Sequence, residues 1–173
     1  MNVLHFVPNK TSKILYNALI LPHFNYSLLL WGSSASSYLE QLFMLQKRAI
    51  RLISDAAFHD HTKPLFHYHK LLTLKDLYNY QLGVFMYKHF QKSLPIDLSN
   101  LFQTNSHFHC YSTRSKDNLF QPFTRTQFAH SHVRSSGVSL WNSLNSKIRN
   151  AGTLNTFKKQ LKSLLLNNYV HIV

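Results

Sequence analysis

Residues that break regular structure are scarce in this chain: 4 glycines and 5 prolines are spread over 173 residues. Long stretches therefore contain nothing that forces a turn. Within them apolar side chains recur at spacings of three and four, the period of an amphipathic helix. The expected fold class is mainly α. Thr11 or Ser12 is placed to cap a first helix, whose Ile14, Leu15, Ala18, Leu19, Phe24, Leu28 and Trp31 fall on a similar face, with Pro22 kinking or restarting it. Gly32 and Ser33, Ser34, Ser36 and Ser37 then interrupt the pattern, and Ser37 with Glu40 fits a capping box that opens a second helix. The apolar stripe expected there is Tyr38, Leu42, Leu45, Ala49, Leu52 and Ile53, with Lys47, Arg48 and Arg51 together on another face.

A loop over residues 55–63 leads to a second capping pair, Thr73 with Asp76, which opens a helix over 74–90 with Leu77, Tyr78, Leu82, Phe85, Met86 and Phe90 on a broad apolar face. Gly83 is a mild cost inside it. Leu94-Pro95 stops this helix, and Ile96, Leu98, Leu101 and Phe102 are expected to fold back onto the helical body. From Gln103 to Ser136 the period fades, and alternations such as His107-Phe108-His109-Cys110-Tyr111 read as short strands or ordered loops. A turn of helix around Leu140-Trp141 precedes a last helix from about Thr153 to Asn167, with Leu154, Phe157, Leu161 and Leu164/Leu165 inward. Composition thus divides the chain into a helical body (1–102), a polar irregular or short-strand segment (103–152), and a basic C-terminal helix and tail (153–173).

Charge bears on function more than on fold. Lys and Arg number 19 against 6 Asp and Glu, a formal +13 in which charged residues make only 14% of the chain. An ordinary domain has about 25%, so the outlier is a shortage of acids. Metal-assisted phosphoryl transfer needs carboxylates converging on divalent ions, and Glu40, Asp55, Asp60, Asp76, Asp97 and Asp117 are the whole supply. Residues 118–173 hold seven basic side chains and no acid. Such a surface seeks polyanions, and Lys47, Arg48 and Arg51, like Lys158, Lys159 and Lys162, form helical clusters free of acids that suit phosphates. The single Cys110 makes no internal disulfide, which points to a reducing intracellular compartment, nucleus or cytoplasm. No apolar run approaches the ~18 residues of a membrane span. Pro22, His23 and Asn25 interrupt the apolar stretch after Lys10 and Lys13, so neither a signal peptide nor a membrane partner is expected.

Four His-x-His pairs, His59/His61, His67/His69, His107/His109 and His130/His132, invite a metal reading. Their spacing matches no zinc pattern and only Cys110 could supply a thiolate, so solvated or phosphate-facing histidines are the expectation, with no metal and no cofactor. No nucleophile elbow and no phosphate-binding glycine loop occurs. No catalytic residue is assigned.

The order of short motifs is more specific than any one of them. It runs H-F-V-P (5–8), L-Y-N-A-L-I-L-P-H-F-N-Y (15–26), W-G (31–32), L-Q-K-R-A-I-R-L-I (45–53), H-T-K-P-L-F (61–66), L-L-T-L-K-D-L-Y (71–78), H-C-Y-S-T-R (109–114), G-V-S-L-W-N-S-L (137–144) and T-F-K-K-Q-L-K (156–162). In this order the chain resembles the C-terminal, thumb and post-thumb region of reverse transcriptases from non-LTR, LINE-type retrotransposons of the jockey-like kind. Asn145 stands where such sequences often carry Pro, and the cysteine-rich knuckle of some relatives is absent. The resemblance implies a helical thumb-like body in 1–102 that grips an RNA–DNA template–primer without reading its sequence, together with a polymerase palm that this chain lacks. That palm would carry an F/Y-x-D-D strand, and no adjacent aspartates occur here. The binding residues it and the charge pattern suggest are Lys47, Arg48, Arg51, Arg114, Lys158, Lys159 and Lys162. Two other readings fit the same resemblance: a truncated copy of a full RNA-directed DNA polymerase whose palm lies upstream, and a decayed element fragment. Severed from a palm, Phe24, Trp31, Tyr80 and Tyr87 are expected to lose their cover.

Overall fold

The computed structural model describes residues 8–108 and 115–169. The chain is mainly helical, and among the described residues the one strand-like pairing is an isolated antiparallel bridge between Thr104 and Leu119. Two compact units are present: unit 1 is Met1–Tyr78 with Lys162–Val173, and unit 2 is Asn79–Leu161.

Unit 1 opens with α1 (Asn9–Leu15), which passes through a π-helical turn (Tyr16–Ile20) into α2 (Leu21–Asn25). Pro22 explains the disturbance, since it lacks the N–H of a regular helical bond and its ring crowds the preceding turn. The cap of α1 is Pro8 rather than Thr11 or Ser12, and no side chain closes it. After the short α3 (Leu28–Trp31), helix α4 spans Ser36–Ser54 with Ala35 at its N-cap, so the Ser37 and Glu40 box does not form. The largest departure is the rotation of α4. Gln46 and Ile50 face the core beside Ile53 of the expected stripe, Leu42 and Ala49 of that stripe are half-buried, and its Tyr38, Leu45 and Leu52 are exposed.

Gln46 causes that rotation. Its Nε2 donates to the Tyr16 hydroxyl and to the Leu72 carbonyl, each at 3.0 Å, and its Oε1 accepts from the Leu74 N–H at 2.8 Å. The amide thereby satisfies backbone groups where α5 (Thr62–His69) gives way to α6 (Leu74–Phe90). A buried side chain with all these bonds holds the helix more firmly than an apolar stripe on its other side. Around it pack Tyr16, Ile50, Ile53, Phe66, Leu71 and Tyr169.

The Thr73 and Asp76 cap forms as expected, with Thr73 Oγ1 donating to Asp76 Oδ2 at 2.7 Å. Tyr169 joins it from the end of the chain, its hydroxyl donating to Asp76 Oδ2 at 2.5 Å and accepting from the Thr73 N–H at 3.0 Å. Burial and the bond to Asp76 push the Tyr169 phenol far above its ordinary pKa.

In unit 2, residues 79–90 of α6 are followed by α7 (Ile96–Ser99), α8 (Asn105–Phe108), α9 (Gln127–Ser131), α10 (Val133–Ser143), α11 (Ser146–Arg149) and residues 154–161 of α12 (Leu154–Asn167). Within the segment 103–152, residues 115–126 are irregular as expected, whereas 127–149 are mostly helical and α10 is a full helix rather than one turn. Its first turn reads as polar because Ser135 and Gly137 lie at buried positions. Both glycines of this unit's core act as spacers: a Cβ on Gly83 would lie 2.6 Å from Leu161 Cδ2, and one on Gly137 would lie 3.0 Å from Met86 Sδ. Phe90 stacks on Trp141 with centroids 4.6 Å apart, and Tyr87 stacks on Phe157 at 4.5 Å. Phe102 folds back as expected, edge-on to Phe85 and His89, while Ile96 is exposed.

Phe24 and Tyr87 are buried, and Trp31 and Tyr80 are half-buried, so none of the four expected orphans lies fully open. Exposed apolar side chains occur elsewhere, among them Leu19, Tyr26, Leu30, Tyr38 and Leu45.

Candidate nucleic-acid interface

On α4 the three basic residues have different roles. Arg48 is exposed. Lys47 lies over the Phe43 ring, its Nζ 4.5 Å from the centroid, in a cation–π contact. Arg51 fastens the following loop: its Nε and Nη2 donate to the Asp60 carbonyl at 3.1 and 2.9 Å, and its guanidinium lies near the Phe58 ring. A planar fork reaching one carbonyl still presents its remaining N–H groups and its charge outward.

Helix α12 does not carry one uniform stripe. Lys158 is half-buried and Lys159 exposed, both in unit 2. Lys162 belongs to unit 1, where it is half-buried and the charges acting on it are the ammoniums of Lys13 and Lys70. Burial first, then those two cations, lowers its pKa. The three lysines come from α1, the residue after α5, and α12. Lys70 has φ 54°, a left-handed backbone that glycine holds at less cost. Placed there, its backbone N–H closes the last turn of α5 by donating to the His67 carbonyl at 3.0 Å.

Beside this cluster His69 is buried, with Nε2 3.0 Å from Ser54 Oγ. The Ser54 hydroxyl hydrogen is committed to the Ile50 carbonyl at 2.8 Å, so the His69 Nε2–H donates to Ser54. Burial, and then the charge of Lys13, lowers its pKa. His89 in unit 2 is lowered by burial against a smaller opposing bond to Leu98, and its Nδ1 is buried without a partner. Both histidines fold neutral. Below about pH 6.5 the unfolded chain binds more protons than the folded one, so stability is present above that pH and is lost as pH falls through the lower folded pKa values. The urea midpoint should be lower at pH 5.5 than at pH 7.5, and H69Q should flatten that difference; an unchanged midpoint would count against neutral buried rings.

A cleft of about 490 Å³ in unit 2 is lined by Asn105, Ser115, Asn118, Leu119, Phe120, Gln121 and Asn142. Among the described residues its lining holds no acid, histidine or thiol. Its amides are structural: Asn142 exchanges two bonds with the Leu119 backbone, at 2.9 and 3.0 Å, and Asn118 accepts from Arg149 at 3.3 Å.

Among the described residues no group of three or more His, Cys, Asp or Glu side chains is arranged for a metal ion, and no helix is long and apolar enough to cross a membrane. Arg114, His109 and Cys110 lie outside the described residues. No family model, curated protein or solved structure matches the chain.

Lys13 and Lys70 were absent from the residues suggested by sequence. They stand 57 and 92 positions from their neighbours in the cluster, counting 13 to 70 and 70 to 162, and no spacing rule links such positions. Neither residue type nor spacing carries a signal that would have joined them.

Proposed function

We propose that this chain binds the phosphates of nucleic acid without reading sequence, as a thumb-like part of a non-LTR retrotransposon reverse transcriptase would bind a template–primer. The observation that carries the reading is positive charge without acids on the surface, with Arg48 and Lys159 exposed and residues 118–173 free of carboxylates. Half-buried Lys162 adds to it, because burial and the charges of Lys13 and Lys70 disfavour its ammonium, and an anion beside it would relieve that. The motif order supplies the family. The missing aspartate pair fits binding and not polymerisation.

Fluorescence anisotropy with a labelled RNA–DNA duplex tests this reading. If ~6 phosphates are neutralised, log affinity falls against log salt with a slope of about −5. Neutralising the cluster with K13Q/K70Q/K162Q should make the slope shallower by about 3 and weaken all sequences alike. Affinity indifferent to salt, or a triple variant with an unchanged slope, would refute it.

A further inference from the structure

Phe123 is 94% exposed and Phe128 75% exposed, which places both among the rings this chain leaves in water, Tyr26, Tyr38, Phe58 and Tyr68 being others. Full burial of each would be worth ~1.5–3 kcal/mol. The backbone beneath Phe128 is nevertheless pinned: Thr126 Oγ1 accepts from the Ala129 N–H at 3.2 Å, and the Phe128 carbonyl accepts from Ser131 Oγ at 3.0 Å and from the His132 N–H at 3.1 Å. The ring is thus presented by a held turn of helix. Arg125 lies between the two rings in sequence and is exposed, as are His130, His132 and Arg134. From residue 118 to the end of unit 2 at residue 161 there are six Lys or Arg and no acid.

We propose that Phe123 and Phe128, with Arg125 and Arg134, form a platform on unit 2 that stacks unpaired bases of a single nucleic-acid strand. Every base has an apolar face that an exposed ring can cover, and the flanking guanidiniums meet the phosphates of the same strand. The rings are five positions apart, at most ~17 Å of extended chain, a span that a few nucleotides bridge. Charge selects a polyanion as the occupant, and the interleaving selects a strand over a lipid surface. A bilayer favours a continuous apolar helix face, whereas α9 is five residues long and Gln121, Thr124, Thr126 and Gln127 surround the rings.

The inference rests on the nucleic-acid reading but is separable from it. Binding of a ~12-nucleotide single-stranded DNA and of a duplex of the same length is compared for the full chain. F123A/F128A should weaken single-strand binding at least about tenfold and leave duplex binding within about twofold. Both rings are exposed, so the melting curve should not move. F123L/F128L should lose the same affinity, because leucine is apolar but does not stack, and F123W should retain it with its indole fluorescence quenched on binding. Duplex binding by the unaltered chain together with single-strand affinity indifferent to F123A/F128A, or retained by F123L/F128L, overturns the platform alone. Binding of neither probe by the unaltered chain overturns both readings. If F123A/F128A abolished sedimentation with anionic-lipid vesicles but not single-strand binding, the rings would belong to a membrane contact and the platform would be rejected.

Discussion

Replacing Gln46 by leucine should lower the stability of unit 1 by about 3 kcal/mol or more, although leucine is the more apolar residue. Gln46 is fully buried and serves the Leu74 N–H, the Leu72 carbonyl and the Tyr16 hydroxyl at once. Leucine fills similar space but leaves those groups without partners, and each buried orphan costs about 1–3 kcal/mol. The expected signature is a fall in melting temperature of about 6–12 °C, at about 2–4 °C per kcal/mol for a chain of this size. A shift under about 2 °C would mean that water reaches the site and that the amide is dispensable. Affinity for the duplex should fall as well, because Tyr16 follows α1, which carries Lys13.

Phe157→Ala should cost unit 2 about 3–5 kcal/mol. The ring is fully buried, stacks on Tyr87 at 4.5 Å and lies 6.1 Å from Trp141. Tyr87 is anchored at its other end by donating to the Ala151 carbonyl at 2.7 Å. No neighbour can move into the space without breaking that bond or the Trp141 stack. F157L keeps most of the volume and should cost less than half as much. Urea titration followed through the two tryptophans reads both variants, and equal midpoints for F157A and the unaltered chain would show that the aromatic cluster does not hold the unit.

Local chemistry was legible in the sequence. Thr73 and Asp76 announced the start of α6 because a hydroxyl and a carboxylate three residues apart can bond within one turn. The buried Phe157, Leu161 and Leu165 of α12 were legible because they repeat on one helical face. The rotation of α4 was not, since a count of apolar residues ranks Gln46 as surface until its partners near Leu72 and Leu74 are known. Helix α10 was hidden by Ser135 and Gly137, small residues that read as loop yet let neighbours pack closely.

The candidate site divides in the same way. Arg48, Lys159 and the acid-free final third could be read directly, because sign and local spacing are properties of the chain. That Arg51 spends its fork on the Asp60 carbonyl, and that the charges of Lys13 and Lys70 act on Lys162, could not. Sequence alone determined a helical class and a positive chain poor in carboxylates, since both follow from composition and short-range period. Only the tertiary structure decided which cations repel one another and which aromatic rings stay in water. Proximity between positions 13, 70 and 162, and the exposure of Phe123 and Phe128, are set by packing and not by distance along the chain.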